Sequence, residues 1–139
     1  MKSSSPDETF ALGQGLATEL RQGDIVLLYG GLGAGKTLLT KGILSGLDFD
    51  VDEVTSPSFT LVNLYKTGQF DVYHIDLWRV EGPGAADAVG LAEIIEDEKA
   101  VTIIEWADRL GESKFPNRTI RVEISGDGED PRVLKIDKK

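Results

Sequence analysis

The run Gly30-Gly31-Leu32-Gly33-Ala34-Gly35-Lys36-Thr37 constrains this chain more than any other feature: it is a glycine, four residues, then Gly-Lys-Thr, without a mismatch. Such a loop needs a buried strand before it and a helix after it. Asp24-Ile25-Val26-Leu27-Leu28-Tyr29 reads as the strand, and residues 38–47 read as the helix, carrying Leu38, Leu39, Ile43, Leu44 and Leu47. In that context the backbone amides of Gly30, Gly31, Leu32, Gly33, Ala34 and Gly35 turn inward toward phosphate oxygens, and the helix amino terminus adds partial positive charge. Lys36 is expected to reach the β and γ phosphates, and Thr37 to offer its hydroxyl to magnesium. The competing reading, a glycine-rich turn that happens to precede a helix, is disfavoured by the full eight-residue pattern in its context.

The remaining segments supply a layered α/β frame. Ser5-Pro6-Asp7-Glu8 has the capping-box form with proline at the first helical position, and Leu12, Leu16 and Leu20 repeat at four-residue spacing, which predicts a helix ending near Gly23. Residues 48–53 form an acidic connection, and Thr55-Ser56-Pro57-Ser58 is a hydroxyl-rich turn placed where a nucleotide-sensing loop would sit. Residues 59–66 and 69–78 are β-rich runs around Thr67-Gly68 and predict an antiparallel hairpin. Gly82-Pro83-Gly84 breaks the chain, a short helix is expected over 91–97 and a continuous apolar strand over 100–104. Residues 119–125 and 133–137 predict a second hairpin around Gly126-Asp127-Gly128. The expected fold is therefore α/β, a P-loop NTPase-like three-layer sandwich with a mixed parallel/antiparallel central sheet. No repeat or low-complexity linker marks a boundary, and 139 residues with 40% hydrophobic content suit one domain over 1–139.

Composition removes several functional classes. Without cysteine there is no disulfide framework, thiolate zinc site or cysteine nucleophile. The opening Met1-Lys2-Ser3-Ser4-Ser5-Pro6 lacks an apolar signal core, and no uncharged apolar run approaches the roughly 20 residues needed to cross a bilayer, so a soluble, cytoplasmic protein is expected. A net charge of -9 argues against stable nucleic-acid binding by this chain alone, because that affinity is largely cationic.

A phosphate loop also needs a carboxylate for magnesium and a group that positions the attacking water. Asp76 follows the β-rich run Val72-Tyr73-His74-Ile75, and Glu105 ends the apolar run Val101-Thr102-Ile103-Ile104. Ligands of open α/β sheets lie at the carboxyl ends of the parallel strands, a rule Glu105 fits better than Asp76. The sequence does not choose between metal ligand and water-positioning base. His74 shares a strand face with Asp76, which allows a metal or proton-relay pair, although a lone histidine is more often a satisfied, partly buried residue. Arg79 reads either as a phosphate or partner contact or as a solvated surface residue, and Trp106 either as a ring that stacks on a base or as a core wedge.

Taken in order, Leu32-Gly33-Ala34-Gly35-Lys36-Thr37, Thr55-Ser56-Pro57-Ser58-Phe59-Thr60-Leu61-Val62, Tyr73-His74-Ile75-Asp76-Leu77-Trp78-Arg79 and Ile104-Glu105-Trp106 resemble the TsaE family, small bacterial ATPases of tRNA threonylcarbamoyladenosine synthesis. The resemblance implies ATP and Mg2+ as ligands, with Lys36 on phosphate, Thr37 and Glu105 at the metal, and Asp76 near the γ phosphate. Lys36, Asp76 and Glu105 are then the catalytic set, and the stretch 56–60 is the switch loop. It further implies that TsaB and TsaD proteins are partners, that adenosine 37 of tRNAs reading codons beginning with A is the acceptor, and that tRNA is met through the complex. Three positions depart from the family: Gly31 where Asp is usual, Ser58 where Thr is frequent and Trp78 where Tyr is common. The loss of an acid inside the phosphate loop bears on rate and metal affinity more than on binding.

Two other functions fit the opening strand, loop and helix. A small-molecule kinase needs an arginine-bearing lid, whereas residues 82–100 contain no arginine and carry five acids against one lysine. A nucleotide-gated binding module would use Asp76 and Glu105 only to hold magnesium. Slow hydrolysis that depends on partners is the leading expectation.

Overall fold

The apolar run before the glycine loop forms a strand buried on both faces, which is the condition for the centre of a parallel sheet. In the computed structural model the described residues are 2–30, 35–54, 62–77, 90–110, 115–126 and 131–138. Gly31 to Ala34, the hydroxyl-rich turn over 55–61, Trp78, Arg79, the break at 82–84 and Asp127-Gly128 lie outside them.

The strands are β1 (Lys2–Ser3), β2 (Ile25–Tyr29), β3 (Val62–Lys66), β4 (Asp71–Asp76), β5 (Val101–Glu105), β6 (Thr119–Ser125) and β7 (Arg132–Lys138). The helices are α1 (Pro6–Ala17), α2 (Lys36–Gly46) and α3 (Leu91–Ile95), with 3-10 turns at Val51–Glu53 and Ala107–Leu110. One seven-stranded sheet runs in the order β1-β7-β6-β2-β5-β4-β3. β6, β2, β5 and β4 are mutually parallel, while β3 on β4, and β7 and then β1 beyond β6, pair antiparallel. The expected mixed sheet and both hairpins are present, and the two-residue β1 is an addition too short to leave a period in the sequence.

Strand alternation sorts the core into two layers. Val26, Leu28, Val72, Val101, Ile103, Ile120 and Val122 face α1 and α2, packing on Leu16, Leu39, Ile43 and Leu44. Ile25, Leu27, Ile75, Leu77 and Ile104 face the other way, against Leu91 of α3 and Ala107. α1 and α2 meet through glycines, for a Cβ on Gly13 would lie 2.5 Å from the Leu39 carbonyl oxygen and one on Gly42 would lie 2.2 Å from that of Phe10.

Helix boundaries differ from the apolar pattern in instructive ways. Ser5 caps α1 by accepting from the Glu8 amide at 3.2 Å, while the Glu8 carboxylate reaches back to the Ser4 amide. α1 stops at Ala17, not near Gly23, because the chain turns back: the Thr18 hydroxyl donates to Gly15 O at 2.7 Å, and Gly23, at φ +90, donates its amide to Ala100 O. Leu20 stays buried through this turn, so its apolar spacing outlasts the helix. α2 starts at Lys36, ahead of the first apolar position, since the Leu39 amide already bonds Gly35 O at 2.9 Å. Among the described residues no helix is long and apolar enough to cross a membrane.

Candidate nucleotide site

β2 delivers the chain to Gly30 at φ +151, and Gly35 enters α2 at φ +107, conformations that side chains resist. Among the described residues no side chain caps α2 and no acid occupies its first turn, so the helix amino terminus keeps the donors and partial charge that suit an anion.

Lys36 and Thr37 open this helix and point at the carboxyl ends of β4 and β5. Lys36 is only 5% exposed, donates from Nζ to Gly30 O at 2.6 Å, and lies 4.0 Å from the centroid of the Trp106 ring. Burial pulls its pKa below the usual lysine value, and Glu105, Asp108 and Asp76 act in the opposite direction. An ammonium stripped of water among three acids is suited to receive an anion that brings its own charge.

Thr37 Oγ1 lies 3.0 Å from Glu105 Oε1, and the other Glu105 oxygen is bonded to His74 Nε2. Register explains this convergence. Leu28 and Asp76 both pair with Glu105 across parallel ladders, so the carboxylates of Asp76 and Glu105 stand side by side where the strands end. Alternation then puts His74 and Asp76 on the face that α2 covers. Both acids are buried, at 6% and 2% exposure.

The expected residues Gly30, Gly35, Lys36, Thr37, Asp76 and Glu105 are thus gathered at one end of the sheet, whereas Gly31, Leu32, Gly33 and Ala34 lie outside the described residues. Among the described residues no three His, Asp or Glu side chains converge as a ready-made metal centre. Thr37 and Glu105 supply one hydroxyl and one carboxylate, a set that suits magnesium, which keeps several waters and takes its remaining ligands from phosphate.

His74 is fully buried rather than partly buried, bonds Glu105 and not Asp76, and its Nδ1 has no partner among the described residues. Trp106 adopts φ 58, a left-handed conformation rare for a bulky residue, and its ring packs on the second core layer while covering Lys36. Asp108, in the 3-10 turn that follows, went unnoticed in the sequence, where only its nearness to Glu105 hinted at a role.

A family model described as Threonylcarbamoyl adenosine biosynthesis protein TsaE matches residues 3–134. The tRNA threonylcarbamoyladenosine biosynthesis protein TsaE of Bacillus subtilis is 35% identical over 133 residues, covering 96% of this chain and 81% of that protein. The protein of that name from Rickettsia bellii is 32% identical, covering 96% and 90%, and the one from Treponema pallidum is 34% identical, covering 88% and 87%. A solved structure titled as the crystal structure of Bacillus subtilus YdiB superposes with a TM-score of 0.71 at 30% identity, covering 96% of this chain and 80% of that one. Loop ends, buried lysine and strand-end acids therefore sit in a chain that belongs to the TsaE family of threonylcarbamoyl adenosine biosynthesis proteins, a nucleotide-binding family.

Proposed function

We propose that this protein, acting as one domain over 1–139, binds ATP with magnesium and hydrolyses it as a cytoplasmic subunit working with TsaB and TsaD proteins. Together they threonylcarbamoylate adenosine 37 in tRNAs that read codons beginning with A. The observation that carries the reading is the buried Lys36, Thr37 and Glu105 constellation at the start of α2. Relatives named for that biosynthesis supply the pathway.

Lys36 exchanges the Gly30 carbonyl for β and γ phosphate oxygens, one charge-assisted contact for a stronger one. Backbone amides from Gly30 to Gly35 cradle the phosphates. Thr37 and Glu105 hold magnesium, which when bound neutralises phosphate charge. Glu105 is the acid tied to Thr37, so Asp76, one strand over, takes the position near the γ phosphate and orients the attacking water. With a net charge of -9, contact with tRNA falls to the partners.

The test is phosphate release from ATP by the protein alone, then with TsaB, TsaD and tRNA, with modified adenosine quantified in the same tubes. A slow basal rate raised by the partners is expected, with modification and nucleotide affinity lost in Lys36→Ala while the circular dichroism of the fold persists. Partner-independent turnover without any effect on modification would redirect the assignment to a small-molecule kinase.

A further inference from the structure

The roles proposed for Lys36, Thr37, Asp76 and Glu105 leave the buried His74 without one. Its ring is entirely buried on β4, near the Tyr65 ring at 6.2 Å between centroids, and Tyr65 is itself packed on Phe49 at 5.0 Å. Its Nε2 meets one Glu105 oxygen, and the other Glu105 oxygen meets Thr37 Oγ1 at 3.0 Å. Nδ1 has no partner among the described residues. A buried N–H without an acceptor costs more than a bare lone pair, and a bare Nε2 would confront the carboxylate lone pair to lone pair. The bonding pattern therefore assigns the hydrogen to Nε2, which donates to Glu105.

We propose that His74 is a positioning residue: it holds one oxygen of Glu105 so that the other faces Thr37, and by fixing that carboxylate it sets the affinity of the site for magnesium. This rests on the reading that Thr37 and Glu105 hold the metal. Glutamate has several freely rotating bonds, so an unrestrained Glu105 would present its oxygens in many directions at the end of β5. A donor on the neighbouring strand, fixed by the Ile75↔Ile104 and Asp76↔Glu105 register, selects one of them. Groups that orient a ligating side chain in this way commonly change metal affinity without touching the metal.

The test uses the untagged chain, in which His74 is the single histidine. Binding of a non-hydrolysable ATP analogue is measured by calorimetry across magnesium concentrations and in chelator. His74→Leu, which has no donor, is expected to raise the magnesium concentration for half-maximal binding about tenfold while leaving metal-free nucleotide affinity within about twofold. His74→Gln, whose amide reaches a similar place, is expected to recover most of the loss. Equal weakening with and without metal, or an unchanged magnesium dependence in His74→Leu, overturns the proposal. Long-range nitrogen–proton spectra of the unmutated chain test it independently of variant folding: the Nε2–H tautomer is expected, and the Nδ1–H tautomer refutes it. Thr37→Ala and Glu105→Gln separate the two levels. If they shift magnesium dependence and His74→Leu does not, only the role of His74 fails; if neither shifts it, the metal assignment itself fails.

Discussion

Replacing Gly42 by alanine puts a methyl carbon where it would lie 2.2 Å from Phe10 O, 3.0 Å from Phe10 C and 3.1 Å from Gly13 Cα. All three are backbone atoms, so no side chain can swing aside and α1 and α2 must move apart by roughly 1 Å in an interior packed to crystal density. Overpacking of this kind costs about 1–3 kcal/mol. Alanine in a helix returns about 0.5–1 kcal/mol relative to glycine, leaving a net loss of up to about 2.5 kcal/mol and a fall in Tm of up to about 12 °C. Gly15, in α1, is the control: a Cβ there meets nothing within 4 Å, so Gly15→Ala should gain up to about 1 kcal/mol from the same propensity term. Thermal unfolding followed by circular dichroism compares the pair. Nucleotide affinity should fall in Gly42→Ala as well, since Lys36 and Thr37 open the helix that is displaced. If Gly42→Ala is as stable as Gly15→Ala, the close backbone contact between α1 and α2 is not what fixes their spacing.

Burial lowers the Lys36 pKa, so in the fold it releases its proton at a lower pH than in the unfolded chain. Between those values the unfolded state holds more protons and stability rises with pH. Urea unfolding of the wild type and Lys36→Met from about pH 7 to about pH 10 should therefore show the balance moving toward the wild type as pH increases, and a constant difference would contradict the buried charge. Asp24 is 3% exposed and accepts from Arg118 Nε at 3.1 Å, Arg118 Nη2 at 2.8 Å and the Arg21 amide at 2.8 Å. Asp24→Ala should cost about 2–3 kcal/mol in chemical denaturation, and a change under about 0.5 kcal/mol would mean the pair does not anchor the start of β2.

The readable parts of the sequence were those whose physics is local. A phosphate loop declares itself because glycine conformations, lysine and threonine must be contiguous, and both hairpins announce themselves through short turns between β-rich runs. Glu105 was legible as an acid ending an apolar strand, for which only chain direction and burial are needed. The bond between His74 and Glu105 was not, because it depends on the offset of two parallel strands, and a shift of one residue would turn His74 toward Leu91 and Ala107. Trp106 gave no hint of its left-handed backbone, which follows from the turn between β5 and the 3-10 segment. The stop of α1 at Ala17 was masked because Leu20 remains apolar in the turn beyond it.

β2 is flanked on both sides by parallel strands that come much later in the chain, Val101–Glu105 and Thr119–Ser125. As the chain emerges from the ribosome, the strand Ile25–Tyr29 has both hydrogen-bonding edges bare until those segments arrive. Non-local parallel pairing is slow to form, and an apolar strand waiting with open edges is exposed to wrong partners. The Thr37 to Glu105 contact spans 68 residues, so the pair proposed to hold magnesium cannot form before the sheet centre closes. Magnesium-dependent retention of nucleotide would thus report completed folding, and magnesium with nucleotide present during refolding should favour the native chain only after its last parallel strands have docked.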